Sequence, residues 1–163
     1  MSKAFTRESD DSDSGEVTFS RPPLPPGARN YITKEGAARL NQQLKDLLEK
    51  KQAAGNQTDQ RKLESSIRHL QSILNSVVVA EPPIDHEKAA FGAKVTVRDL
   101  NGEEETYRIV GVDEANPEQG QISWISPLAR AIMSRRVGDR VSFQSPSGTR
   151  ELTILKVSYS EEL

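Results

Sequence analysis

Hydrophobic residues in the first half of the chain recur at spacings of three and four. Ala37, Leu40, Leu44 and Leu47 form one series; Leu63, Ile67, Leu70, Leu74 and Val77 form another. That spacing places each series on one stripe of a helix. Only residues 53–59 separate the two patterns. The arrangement predicts an antiparallel helical hairpin, a coiled coil with a short turn at its tip. Thr33 suits an N-cap and Gly55 the position after the first helix ends. Asn56 or Thr58 suits the second cap, with Asp59 in the first turn where its charge favours the helix dipole. The expected helices cover about 33–53 and 59–78, up to the stop at Glu81-Pro82-Pro83. Each is then about 20 residues, or roughly 30 Å, long. Neither is strongly stable alone, so the apolar seam must hold the pair together.

From Phe91 onward the period changes to two. Residues 94–98 alternate, and Asn101-Gly102 marks a turn. Strands are expected over 105–112, 121–125, 140–143 and 152–157. Pro127 opens a short helix running to about Met133. The expected fold is α+β: the hairpin over 31–80, a linker over 81–90, and an antiparallel sheet domain with one short helix over 91–160. Residues 1–30 are polar, acidic and proline-rich, and read as a disordered tail with polyproline II character at 21–27.

Charge and composition narrow the chemistry. The net charge of −2 is uneven: residues 31–80 carry eight basic and five acidic side chains, residues 81–163 ten basic and fourteen acidic. The rod is positive, yet too weakly so for autonomous binding of duplex DNA. There are no cysteines, and His69 and His86 are the only histidines. Disulfides and thiolate metal sites are therefore excluded, and no protein-held metal or catalytic triad is expected. Neither a membrane span nor a signal peptide is seen, so a cytoplasmic monomer is the expectation.

Several stretches resemble the bacterial GreA and GreB factors. They are Phe91-Gly92-Ala93, Ile109-Val110-Gly111-Val112-Asp113-Glu114, Ile122-Ser123, Ser126-Pro127-Leu128-Ala129-Arg130-Ala131, Val137-Gly138-Asp139 and Pro146-Ser147-Gly148. Tyr31-Ile32-Thr33-Lys34-Glu35-Gly36 resembles the opening of that family's first helix. The resemblance implies an FKBP-like C-terminal domain docking on bacterial RNA polymerase at its secondary channel. The hairpin then enters the channel, where two tip acids of the family help hold the second Mg²⁺ of the polymerase and a water, so that backtracked RNA is cleaved.

This chain departs from that pattern at the tip. Residues 53–58 contain no carboxylate, and Asp59 stands beside Arg61 and Lys62. No catalytic residue is therefore transferred. The candidate sites are Gly55, Asn56 and Asp59 at the tip, and Lys50, Lys51, Arg61 and Lys62 as a basic face toward nascent RNA. Ser126, Pro127, Leu128 and Ala129 are candidates for docking on polymerase. The leading expectation is a regulator of RNA polymerase, not itself an enzyme, without cleavage-stimulating acids or a cofactor of its own. An active cleavage factor using Asp59, Glu49 or Glu64 with the polymerase Mg²⁺ is the alternative. A prolyl isomerase or chaperone, with Phe91, Tyr107 and Trp124 around a pocket, is the third.

Overall fold

The computed structural model describes residues 23–159. The acidic part of the N-terminal tail and residues 160–163 lie outside the described residues. In chain order the elements are β1 (Asn30–Ile32), α1 (Lys34–Ala53), α2 (Gln57–Ser76), β2 (Val77–Val79), β3 (Lys94–Asp99), β4 (Glu104–Val110), a 3-10 turn (Pro117–Gln119), β5 (Gln121–Ser123), α3 (Pro127–Ile132), β6 (Arg140–Ser145) and β7 (Gly148–Ser158). The architecture is α+β, with two long helices and a five-stranded sheet. At the proline-rich entry the Pro25 carbonyl accepts from the Ala28 N–H at 3.0 Å, and Gly27 has φ 75°, so a turn interrupts the extended conformer expected there.

Local chemistry sets the helix ends. The Thr33 side chain accepts from the Gly36 N–H at 3.0 Å, satisfying one of the free donors that open α1. Asn56 does the same for the Asp59 N–H at 2.8 Å in α2. Lys50 and Lys51 fall in the last turn of α1, where cations complement the helix dipole. Gly55 is not the left-handed residue expected from the sequence. Ala54, extended at φ −68° and ψ 124°, ends α1 and turns the chain, so glycine's special freedom is not used.

The facing stripes pack against each other. Ile32, Leu40 and Leu70 are buried, with Ala37, Leu44, Leu47, Ile73, Leu74 and Val77 around them. Nearer the tip, Lys51 Nζ of α1 lies 3.2 Å from Glu64 Oε1 of α2. At the opposite end the sequence expectation fails. The second helix stops at Ser76, and Val77–Val79 pairs in parallel with β1, in the register Asn30↔Val77 to Ile32↔Val79. Three consecutive β-branched residues favour an extended backbone. A partner strand 47 residues earlier makes the change possible, and local periodicity carries no sign of it.

The main sheet has the order β5-β4-β3-β7-β6. It is mixed, not wholly antiparallel: β4 and β5 run parallel, Arg108 opposite Gln121 and Val110 opposite Ser123. The connection through residues 111–120 includes the 3-10 turn, which gives the chain length to return in the same direction. A tight hairpin would have forced antiparallel pairing. Val95, Val97, Ile109, Ile132, Val141, Leu152 and Ile154 form the core between the sheet and α3. Burying each such side chain contributes about 1.5–3 kcal/mol.

Candidate functional site

The tip is short and internally satisfied. Asn56 Oδ1 accepts from the Asp59 N–H, and Asn56 Nδ2 donates to Asp59 Oδ2 at 2.8 Å. Gln60 Nε2 closes the turn by donating to the Ala54 carbonyl at 3.2 Å. Asp59 is thus engaged in capping α2, and Gly55 is exposed with open space around it. Lys50, Arg61 and Lys62 are exposed, whereas Lys51 is half-buried and ion-paired with Glu64. Glu64 also lies 3.9 Å from Arg68, which leaves it poorly disposed toward an outside metal ion. Among the described residues no cluster of three or more His, Cys, Asp or Glu side chains is placed to hold a metal. Nor is any described helix long and apolar enough to cross a membrane.

At the other candidate surface, Ser126 caps α3 by accepting from the Ala129 N–H at 3.2 Å. Pro127 is exposed, and Leu128 packs partly against the core. Ala129 needs correction as a docking residue. It is 0% exposed because its methyl faces the sheet, so it supports the surface from beneath.

Two of the three candidate aromatic residues meet at a further ring. Tyr31 of β1 stands against both Phe91 and Trp124, with ring centroids 5.9 and 6.0 Å away. Tyr107 instead donates its hydroxyl to Glu105. Burial, and then the Glu105 carboxylate, push that phenol up to about 12.

The junction between the helix pair and the sheet is built from residues that no local pattern in the sequence marks as partners. Glu114 follows β4, and its side chain is 2% exposed. Its Oε2 accepts the Thr33 N–H at 2.9 Å and the Gly111 N–H at 2.8 Å, while its Oε1 accepts the Thr33 hydroxyl. Asn30 Nδ2 donates to Asp113 Oδ2 at 2.9 Å and to Ser76 Oγ at 3.1 Å. Arg108 Nη2 of β4 donates to Glu35 Oε2 at 3.0 Å. Burial acts to raise the Glu35 carboxyl; its own backbone N–H and the Arg108 guanidinium outweigh that and hold it below the usual range. Beside these contacts a crevice of about 770 Å³ opens, lined in part by Thr33, Val79, Phe91, Arg108 and Tyr159. The signal in the sequence was a glycine in the first turn of a helix, at Gly36.

Known proteins share this arrangement of sequence. Residues 84–159 match the family described as "Transcription elongation factor, GreA/GreB, C-term". Transcription elongation factor GreB of Neisseria meningitidis is 35% identical over 154 residues, covering 80% of this chain and 94% of the relative. GreA of Chloroflexus aggregans is 39% identical over 150 residues, covering 78% and 96%. Because 80% of 163 residues is about 130, about two dozen of the 154 GreB positions have no counterpart here. The GreA match leaves a similar number unfilled. Among solved structures, the GreA factor homolog 1 (Gfh1) protein of Thermus thermophilus is 27% identical, over 80% of this chain and 99% of its own, with TM-score 0.41. The extent and identity of the GreA and GreB matches place this chain in the GreA/GreB family of transcription elongation factors.

Proposed function

We propose that this protein regulates bacterial RNA polymerase from the secondary channel without stimulating RNA cleavage. An FKBP-like sheet domain docks near the channel mouth through the surface around Ser126, Pro127 and Leu128. The helix pair acts as an antiparallel hairpin probe that enters the channel. The observation that carries this reading is the tip. Residues 53–58 hold no carboxylate, and the single acid beside them, Asp59, is tied to Asn56. A hard Mg²⁺ ion needs free carboxylate oxygens or waters, and one amide-bound carboxylate flanked by Arg61 and Lys62 supplies few.

Length supports the same reading. Helices of 20 residues reach about 30 Å. The relatives contain about two dozen positions that this chain lacks; the proposed reading assigns them to the hairpin, where their loss shortens the reach. Lys50, Arg61 and Lys62 give the tip a positive face suited to nascent RNA. The protein acts as a monomer in the cytoplasm and carries no cofactor.

Competition tests the proposal. Labelled protein is titrated onto purified bacterial RNA polymerase, and an authentic cleavage-competent Gre factor is added. Saturable binding that the Gre factor displaces is expected, with matching loss of the Gre factor's cleavage activity when the order is reversed. No binding, or binding that the Gre factor leaves untouched, overturns it.

A further inference from the structure

Thr33 caps α1, and the helix position three residues on is Gly36. In a complete capping box that position carries Glu or Gln, whose side chain reaches back to the N–H of the cap residue. Glycine has no side chain to do this. The Thr33 N–H is nevertheless satisfied, by Glu114 Oε2 at 2.9 Å, from a residue 81 positions away in the sheet domain. Glu114 Oε1 takes the Thr33 hydroxyl, and Oε2 also takes the Gly111 N–H. A Cβ on Gly36 would overlap the Glu114 carboxylate, and one on Gly111 would meet both Tyr31 O and that carboxylate. Two glycines thus leave room for this carboxylate, with the Tyr31 carbonyl also packed on Gly111.

We propose that Glu114 is a positioning residue: it completes the capping box of α1 from the other domain and thereby fixes the direction of the helix pair relative to the sheet. Hydrogen bonds to a buried carboxylate are directional and hard to replace with water. The acid that completes the helix start also anchors the β4 loop through Gly111. The helix axis therefore cannot swing without breaking the cap. The contribution to polymerase binding rests on the function proposed above. A probe that must enter a channel binds with an affinity reduced by the fraction of molecules pointing the right way.

The test uses the full chain, which has no cysteines, so two introduced ones report cleanly. Spin labels go on Gly55→Cys at the tip and Ser142→Cys on exposed β6, and their distance distribution is measured by pulsed electron resonance. A single narrow distribution is expected with Glu114 in place. Glu114→Ala should broaden it at least about twofold, while Glu114→Gln, which still accepts the Thr33 and Gly111 N–H groups, should keep it narrow. Gly36→Glu gives α1 its own acid and expels Glu114, so it should broaden the distribution with helix content retained. If Glu114→Ala does not fold, Gly36→Glu decides alone. A narrow distribution in the folded broken-latch variants overturns the latch.

Affinity for polymerase separates the two claims. If the correctly aimed fraction falls to roughly a tenth, Glu114→Ala or Gly36→Glu should bind about tenfold more weakly. Broadening with unchanged affinity overturns the positioning claim. Absence of binding by the parent protein sinks the proposed function, while the distance measurement still judges the latch.

Discussion

Glycine within a helix ordinarily costs about 1 kcal/mol relative to alanine, so an exchange at Gly36 judged by propensity alone would stabilise α1. The surroundings reverse that expectation, since the new methyl would occupy the place of the Glu114 carboxylate. Gly36→Ala should instead destabilise by about 1–3 kcal/mol, as overpacking does. Urea unfolding followed by circular dichroism measures the change, and a gain in stability would contradict that packing. At the tip, Asn56→Ala removes a cap and should cost about 1 kcal/mol. The Arg108–Glu35 pair adds a pH dependence. Glu35 titrates lower in the folded protein, so its contribution is complete above the ordinary glutamate value of 4.5 and fades as pH falls through the folded value. Glu35→Gln should flatten that acid-side slope in stability measured across pH 2–6, and an unchanged slope would assign it to other acids.

Elements differed in how legible they were. Both long helices and the first cap were readable because their signals are local: a leucine stripe, Thr33 and an acid in the first turn; at the second helix the sequence left Asn56 and Thr58 open, and Asn56 holds the cap position. Pro127 marked α3 for the same reason. The failures lie where distant partners decide. Val77 continued the helical stripe and still packs in that cluster, yet pairing with Asn30 makes it a strand residue. The parallel run of β5 follows from the path of residues 111–120, which alternation within a strand does not encode. The contact between Thr33 and Glu114 was not legible, because the two residues meet only after folding. The seam offers a direct check on the helix pair. Leu70→Ala removes a side chain that is 7% exposed and should cost about 2–5 kcal/mol. A cost below about 0.5 kcal/mol by the same unfolding measurement would mean that the helices are not held by this cluster.

At the scale of the whole molecule, two units meet at a junction with direct polar and aromatic contacts. The sheet domain offers α3 and its Pro127 corner outward, and the helix pair offers a basic tip without free paired acids. Glu114, Asp113 and Arg108 join the two through Thr33, Asn30 and Glu35. Membership of the GreA/GreB family supplies the setting, and the proposed function turns on the tip. Under the proposed function this tip does not stimulate cleavage. The most direct measurement adds purified protein alone to backtracked elongation complexes with Mg²⁺ and follows the 3′ end of the RNA. The transcript should keep its length, with no release of short 3′ fragments above the rate of polymerase by itself. Shortened RNA that appears in proportion to added protein, and disappears with Asp59→Asn, would contradict the account.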